Sequence, residues 1–207
     1  MSVLSRASDV GVRTVGRRWR TVDIVVAAVV AALFGAVYWG WGYFPASKVF
    51  SFFPPMSGLL NTVFLLAGPV GALIIRKPGA ALFTEAAAAL FEALISTQWS
   101  GSSIIVYGLV QGAAAELAFL LFAYKVWRLP VALLSGMFTG AAMAVLDLWI
   151  YRYYPDWSSG YQLSYLIAGA VGGLILAGAM AWYLVRSLAV TGVLAPFSAG
   201  RTQRLVG

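Results

Sequence analysis

Long apolar stretches follow one another along this chain, separated by short polar or aromatic segments. Because an α-helix that crosses a bilayer needs about 20 largely apolar residues, each stretch is a candidate membrane-spanning helix. The stretches cover residues 22–43, 58–75, 80–95, 104–124, 131–151 and 161–185. We therefore predict an all-α integral membrane protein in which six transmembrane helices form one bundle.

The composition agrees with this pattern. Hydrophobic residues make up 61% of the chain and charged residues 10%, which is more apolar than the core of a water-soluble domain can absorb. We expect residues 1–20 to form a basic cytoplasmic N-terminal segment and residues 21–188 to form the six-helix membrane domain. Residues 189–207 are expected to form a cytoplasmic C-terminal tail, and the chain after Arg186 is expected to be flexible.

The positions of the basic residues predict how the helices cross the membrane. If the N-terminus lies inside, twelve of the 14 Lys and Arg residues fall in inner segments, and only Lys48 and Arg152 face outwards. This bias predicts an even number of crossings with both termini in the cytoplasm. It also explains the net charge of +7 without a nucleic-acid partner, so we expect membrane lipid and no nucleic acid around this protein.

Polar side chains interrupt the third and fourth apolar stretches. Glu85 and Glu92 are seven residues apart and therefore share one face of a helix. A charged side chain at mid-membrane costs about 2.5 to 3.5 kcal/mol on insertion scales, so such residues usually face a protein interior or a wet cavity. Gln98 and Trp99 lie in the turn between the two helices, and Gln111 lies near the middle of the fourth. These five residues predict a polar pocket that opens to the outside.

Four further residues have two possible interpretations each. Glu116 lies deeper than Gln111 and either lines the floor of the pocket or is a protonated structural carboxyl bonded across helices. Trp39 lies in the aromatic-rich segment 38–53, which is typical of a membrane interface, although one of the rings of this segment could also stack on a flat or cationic ligand. Asp147 either has a structural role, paired with Arg152 or in contact with interfacial water, or adds negative charge to the mouth of the pocket. Asp23, at the start of the first helix, is expected to cap it or to pair with neighbouring arginines.

Small residues recur at helical spacing in three of the predicted helices. In the first, Ala27 and Ala31 form one ridge, and Ala28, Ala32 and Ala36 form another. Such ridges allow close helix contact, either inside the bundle or with another membrane subunit. The glycines of the last two helices predict tight packing in the same way.

Several classes of function are excluded by residues that the sequence lacks. The chain has no Cys and no His, which removes thiolate nucleophiles, imidazole bases and the usual zinc sites. It also has no phosphate-binding loop of the G-x-x-x-x-G-K-[ST] type, so any ATP-driven step needs a partner protein. We expect neither enzymatic activity nor a cofactor.

Four segments of the chain resemble the YkoE family. They are W-R-T-V-D-I-V-V, the third-helix run P-G-A-A-L-F-T-E-A-A-A-A-L-F-E-A-L, the turn Q-W-S-G, and the fourth-helix run G-L-V-Q-G-A-A-A-E. This family comprises thiamine-related substrate-binding membrane subunits, or S components, of energy-coupling factor (ECF) transporters. The resemblance covers residues 19–186 and is most specific across residues 78–116.

The resemblance implies a six-helix bundle in a bacterial cell membrane that captures a vitamin from outside. Uptake would then require a transmembrane coupling subunit and ABC ATPases. The ridge at Ala27, Ala28, Ala31 and Ala32 is similar to the surface by which S components meet the coupling subunit.

The residues themselves point to a cationic ligand. Thiamine carries a permanently positive ring and a flat aminopyrimidine, which suit carboxylates, an amide and an aromatic face. The same chemistry would suit another organic cation. A self-contained proton- or ion-coupled transporter, with Glu85, Glu92 and Glu116 as a relay, is therefore one alternative. A membrane scaffold without a small ligand is another.

Overall fold

The helices account for all regular secondary structure in the described part of the chain. The computed structural model describes residues 18–44, 46–96, 100–195 and 197. The α-helices are α1 (Thr21–Trp41), α2 (Ala46–Val49), α3 (Ser57–Asn61), α4 (Ala67–Ile75), α5 (Ala80–Ile95), α6 (Gly101–Leu121), α7 (Leu129–Val145), α8 (Ser159–Gly172) and α9 (Met180–Val190). Two 3-10 turns, at Pro54–Met56 and Thr62–Leu65, and two π-helical segments, at Leu146–Ile150 and Gly173–Ala179, join some of these helices end to end.

Five helical segments of the described residues are long and apolar enough to cross a membrane. They are Thr21–Trp41, Pro54–Ile75, Gly101–Leu121, Leu129–Ile150 and Ser159–Val190. The all-helical membrane architecture that the sequence predicts is therefore confirmed. Helix α5 packs among them but has 16 residues, which corresponds to about 24 Å. The sixth crossing and the membrane side of each terminus stay predictions.

Membrane-length helices that follow one another along the chain run in opposite directions, and the bundle has two chemically different ends. At one end, which we call the basic end, the start of α1 meets the turn between α4 and α5: Trp19 Nε1 donates to the carbonyl of Pro78 at 2.9 Å. The turn between α6 and α7, with Lys125 and Arg128, lies at this same end. At the other end, which we call the aromatic end, α1 finishes and α6 begins.

A buried ion pair holds the basic end together. The backbone N–H of Arg20 donates to Asp23 Oδ2 at 2.7 Å, and its guanidinium contacts Oδ1 at 2.9 Å, so the prediction that Asp23 caps α1 and pairs with an arginine is confirmed. Lys77, which the sequence analysis did not connect with Asp23, also contacts Oδ2, at 2.5 Å. Asp23 and Lys77 are both buried. The pair therefore ties α1 to the turn before α5.

The chain after Arg186 is more ordered than expected. Helix α9 continues to Val190, and the side chains of Leu194 and Phe197 are buried in the main apolar cluster. The expectation of a flexible segment is therefore wrong for residues 187–195 and 197. These two side chains belong to the same cluster as Ile75 of α4 and Val185 of α9.

Glycines allow the backbone of α7 to touch the backbone of the last helical rod, which consists of α8, the π-helical segment Gly173–Ala179 and α9. A Cβ atom added to Gly136 or Gly140 would overlap backbone atoms of the segment from Gly169 to Gly178. The prediction of tight packing in the last two helices is thus confirmed. Ser135 and Thr139, on the same helix, donate to the carbonyls of Ala115 and Gln111 at 3.0 and 2.9 Å and so join α7 to α6.

Helix α1 packs on α5 through one of its two small-residue ridges. Ala27 and Ala31 are buried in this contact, whereas Ala28 is exposed and Ala32 is half-buried. At Gly35 the two backbones come so close that an added Cβ would lie 2.8 Å from the carbonyl oxygen of Ala88. Internal packing therefore uses the Ala27 ridge.

The contact at Gly35 can be tested against a second glycine of the same helix. We expect Gly35→Ala to destabilise the protein by about 1 to 3 kcal/mol, because the methyl group overpacks the contact with α5. Gly40→Ala is the matched control, because nothing lies within 4 Å of its Cβ position. Thermal unfolding in detergent, followed by tryptophan fluorescence, measures both. Equal melting temperatures for the two variants would contradict the close contact.

Candidate functional site

A cavity of about 350 Å³ lies in the half of the bundle nearer the aromatic end. Its walls come from α1, residues 46–64, α5, α6, α7 and the segment that follows α7. The lining residues are Tyr38, Gly42, Phe44, Ala46, Ser57, Asn61, Phe64, Glu85, Ala89, Glu92, Ser103, Ile104, Tyr107, Gly108, Gln111, Met143, Asp147, Tyr153 and Tyr154. A volume of this size lies in the range of small-molecule sites.

Glu85 forms the floor of the cavity and is bound to a break in a neighbouring helix. The 3-10 turn Thr62–Leu65 precedes α4, so the first amides of α4 have no acceptor within a continuous α-helix. The N–H of Gly68 donates to Glu85 Oε2 at 2.5 Å, and the N–H of Ala67 donates to Tyr38 Oη at 2.7 Å. The Tyr38 hydroxyl in turn donates to Glu85 Oε1 at 3.2 Å. Glu85 is thus a buried carboxylate with its hydrogen bonds largely used within the protein.

Glu92 and Gln111 line the cavity without such partners. Glu92 lies two turns nearer the aromatic end than Glu85, on the same face of α5, and is 6% exposed. Gln111 faces it from α6 and is 4% exposed. Within residues 18–44, 46–96, 100–195 and 197, neither side chain makes a hydrogen bond. Buried polar groups nearly always have a partner, so the hydrogen-bonding capacity of these two side chains is available to whatever occupies the cavity, water or ligand.

Asp147 supplies a third carboxylate from a different wall. It lies in the π-helical segment Leu146–Ile150 and is 7% exposed. The Tyr107 hydroxyl donates to its Oδ1, and the Tyr165 hydroxyl donates to its Oδ2 at 2.5 Å. The alternative in which Asp147 pairs with Arg152 is wrong, because the ion pairs of the described residues both involve Asp23. Asp147 instead contributes negative charge to the cavity, as the other alternative proposed.

The charged side chains among the described residues of the cavity lining are all acidic. Three carboxylates line it, at Glu85, Glu92 and Asp147, whereas none of the described lining residues is Lys or Arg. Burying several carboxylates without a cation is costly, because each loses its hydration. A positively charged occupant would offset this cost.

Two of the predicted site residues lie outside the cavity. Glu116 accepts from the backbone N–H groups of Gly79, Ala81 and Leu82 at 2.6, 2.8 and 3.3 Å, so it caps the N-terminus of α5 from the neighbouring helix. The interpretation of Glu116 as a structural carboxyl bonded across helices is the one that this geometry supports. Trp39 is 40% exposed, packs edge-on against Tyr43 and does not line the cavity.

Of the other predicted site residues, three line the cavity and two lie in the segment 97–99, which is outside the described residues. Glu85, Glu92 and Gln111 come together in the cavity as expected from their spacing. Gln98 and Trp99 lie outside the described residues, so their role stays a prediction. The sequence analysis did not find Tyr38, Asn61 or Tyr107, although a tyrosine or asparagine within an apolar stretch is itself a polar signal.

Comparisons with known proteins place this architecture in a family. The profile of the family described as "ABC-type cobalt transport system, permease component" matches residues 22–142. The putative HMP/thiamine permease protein YkoE of Bacillus subtilis (strain 168) is 35% identical over 185 residues, which is 89% of this chain and 92% of that protein. A solved structure described as "Crystal structure of an S-component of ECF transporter" superposes with a TM-score of 0.77 at 35% identity and covers 90% of this chain and 94% of that chain.

The chain belongs to the YkoE family of ECF-transporter S components. It is therefore a membrane protein and a substrate-binding component of an ECF transporter, and its relatives are transporter components rather than enzymes. The cavity described above is the candidate substrate site of this S component.

The different roles of Glu116 and Glu92 in the S component predict opposite effects on stability. We expect Glu116→Leu to lower the unfolding free energy by about 1 to 3 kcal/mol, because it leaves backbone amides of α5 without an acceptor. Glu92→Leu should leave stability unchanged or raise it, because it removes a buried carboxylate that has no partner among the described residues. Thermal unfolding of the ligand-free protein measures both changes. Equal destabilisation by the two substitutions would contradict this division of roles.

Proposed function

We propose that this S component captures thiamine, or its hydroxymethylpyrimidine precursor (HMP), for ATP-driven uptake. The observation that carries the proposal is the acidic cavity, which combines three carboxylates, an unpartnered amide and several aromatic rings with no basic side chain among its described lining. A ligand that carries a positive charge and a flat hydrogen-bonding ring complements each of these features.

The lining offers a specific counterpart for each part of thiamine. Glu92 can accept hydrogen bonds from the exocyclic amino group of the pyrimidine, and Gln111 can donate to a ring nitrogen. The carboxylates offset the charge of the thiazolium ring, and the tyrosines of the cavity offer π faces to it. Trp99, if it folds over the cavity, would add a stacking surface.

The name of the Bacillus subtilis relative supports this choice of ligand over a metal ion. That protein is named as a putative HMP/thiamine permease, whereas the matching family profile is described as a cobalt permease. This chain contains no His and no Cys. Among the described residues, no three Asp or Glu side chains are grouped as metal ligands. The available donors therefore fit an organic cation better than a transition metal.

The distribution of basic residues supports an orientation in the membrane that suits capture of a ligand from outside the cell. With the basic end in the cytoplasm of a bacterial cell, both termini lie inside and the cavity lies nearer the outer surface. The crossings would then be six, with α5 as the third and shortest. A transmembrane coupling subunit and ABC ATPases would drive release inwards, since this chain has no phosphate-binding loop of its own.

The surface of α1 offers a face for the coupling subunit. Of the four alanines in the predicted docking site, Ala27 and Ala31 are buried within the bundle. Ala28 is exposed, Ala32 is half-buried, and Ala36, one turn further on, is exposed. Small residues on an exposed helix face allow another helix to approach closely. We therefore assign docking to the ridge of Ala28, Ala32 and Ala36.

The structure weighs against the two alternative functions. An ion relay through Glu85, Glu92 and Glu116 would need Glu116 to face the others, whereas its carboxylate is bound to the start of α5. A scaffold without a ligand does not account for Glu92 and Gln111, two buried polar side chains that line a cavity without a hydrogen-bond partner among the described residues.

Ligand titration tests the proposed function directly. We expect thiamine to quench the tryptophan fluorescence of the detergent-purified protein in a saturable way, and choline to have no such effect. Glu92→Gln should weaken thiamine binding by about 10-fold or more, because it removes a charge-assisted hydrogen bond worth about 1.5 to 3 kcal/mol. A folded wild-type protein that does not respond to thiamine or HMP would overturn the proposal.

The docking assignment predicts that assembly and ligand binding can be separated. Ala28→Leu should reduce co-purification with the coupling subunit and ATPases, because a larger side chain holds the partner helix away. Its thiamine affinity should stay within about twofold of wild type, which is a difference of about 0.4 kcal/mol. Leu120→Phe, at an exposed position on α6, serves as the control. Normal assembly of Ala28→Leu would show that the coupling subunit binds elsewhere.

A further inference from the structure

The cavity holds two polar groupings that differ in how far their hydrogen bonds are already used. One grouping is Glu92 with Gln111, on α5 and α6, and neither of these side chains has a partner among the described residues. The other is Asp147, at the end of α7, whose two oxygens each accept from a tyrosine hydroxyl. We call them the free pair and the held carboxylate.

The held carboxylate presents charge in a fixed position. Tyr107 and Tyr165 approach it from α6 and α8, and Asn61 Nδ2 donates to the Tyr165 hydroxyl at 3.0 Å. Together with Asp147 itself, the network therefore spans four rods of the bundle. The π-helical segment places Asp147 at this junction. Because each oxygen already accepts a hydrogen bond, Asp147 offers negative charge more than it offers a vacant acceptor.

Aromatic rings surround the held carboxylate on the cavity side. Tyr107, Tyr153 and Tyr154 line the cavity beside it. The rings of Tyr107 and Tyr151 stack at 5.1 Å, and those of Tyr151 and Tyr153 stack at 5.6 Å, so each ring is held by its neighbour. A carboxylate among fixed aromatic rings is suited to a cation that has no N–H to donate, because charge and ring faces attract it without directional hydrogen bonds.

The free pair, in contrast to the held carboxylate, still has hydrogen-bonding groups to offer a ligand. An ionised Glu92 side chain accepts hydrogen bonds and donates none, whereas the Gln111 amide both donates and accepts. Two unpartnered groups of this kind can match the alternating donor and acceptor atoms on the edge of a neutral heterocycle. Glu85 does not compete for this role, because Gly68 and Tyr38 already occupy its oxygens.

We propose that Asp147 is the specificity residue for the permanently charged ring of the ligand, while Glu92 and Gln111 bind the hydrogen-bonding edge of the neutral ring. This inference rests on the proposed function and deepens it. It follows that Asp147 separates charged ligands from neutral ones. Thiamine engages both groupings, whereas HMP, which lacks the charged ring, engages the free pair alone.

The experiment compares two variants with two ligands. Isothermal titration of the full-length protein in detergent gives the affinities of wild type, Asp147→Asn and Glu92→Gln for thiamine and for HMP. Asp147→Asn should weaken thiamine binding by about 10-fold or more, the effect of losing a close charge pair, and change HMP binding by less than about threefold. Glu92→Gln should weaken both ligands by similar factors.

The same titrations separate failure of the inference from failure of the proposed function. A wild-type protein that binds neither ligand overturns the proposed function and the inference with it. A wild-type protein that binds both, together with an Asp147→Asn variant that loses both equally or keeps its thiamine affinity, overturns the inference alone.

A second measurement avoids any dependence on the folding of Asp147→Asn. Glu92→Gln is titrated with thiamine and with a neutral isostere of thiamine whose sulfur ring carries no charge. If Asp147 balances the positive ring, the preference for thiamine over the isostere persists in Glu92→Gln at about 10-fold or more. Loss of that preference would assign the charged ring to Glu92 and overturn the inference.

Discussion

Every backbone amide within a bilayer needs an acceptor inside the protein, and the break between Thr62 and Ala67 leaves the first amides of α4 without one from a continuous helix. Glu85 and the Tyr38 hydroxyl supply the acceptors. This requirement ties α1, α4 and α5 together at one depth and closes the cavity on its inner side. Glu92 follows on the same face of α5, so its position in the wall is a consequence of how Glu85 is held.

The main carboxylates of the site could be predicted because charge is conspicuous in an apolar segment. Glu85, Glu92 and Gln111 have few alternatives to facing a protein interior, so the sequence indicates their environment. The partner of Glu116 could not be found in this way, because its hydrogen-bond donors are backbone amides about 35 residues earlier in the chain, and such groups carry no sequence signature. Tyr38 was missed because a tyrosine near the end of a membrane helix is also what an interface requires.

Spacing alone could not decide which residues of α1 and α7 face inwards. The ridges at Ala27 and Ala28 have the same composition and the same four-residue interval, and only the position of α5 makes one internal and the other exposed. At the end of α7, Asp147 lies in a π-helical segment and meets Tyr107 and Tyr165 from two other helices instead of Arg152. Fold class and helix positions follow from local composition, whereas these contacts depend on tertiary packing.

The glycine contact between α7 and the segment from Gly169 to Gly178 divides the molecule into parts that tolerate change differently. Where two backbones touch, no side chain is present that could shrink or rotate to accommodate a larger neighbour. The aromatic end is built from large side chains that can be exchanged for one another with smaller changes in volume. Substitutions at the aromatic end can therefore change the binding specificity, while the glycine contact keeps α7 and the last helical segment in the same arrangement.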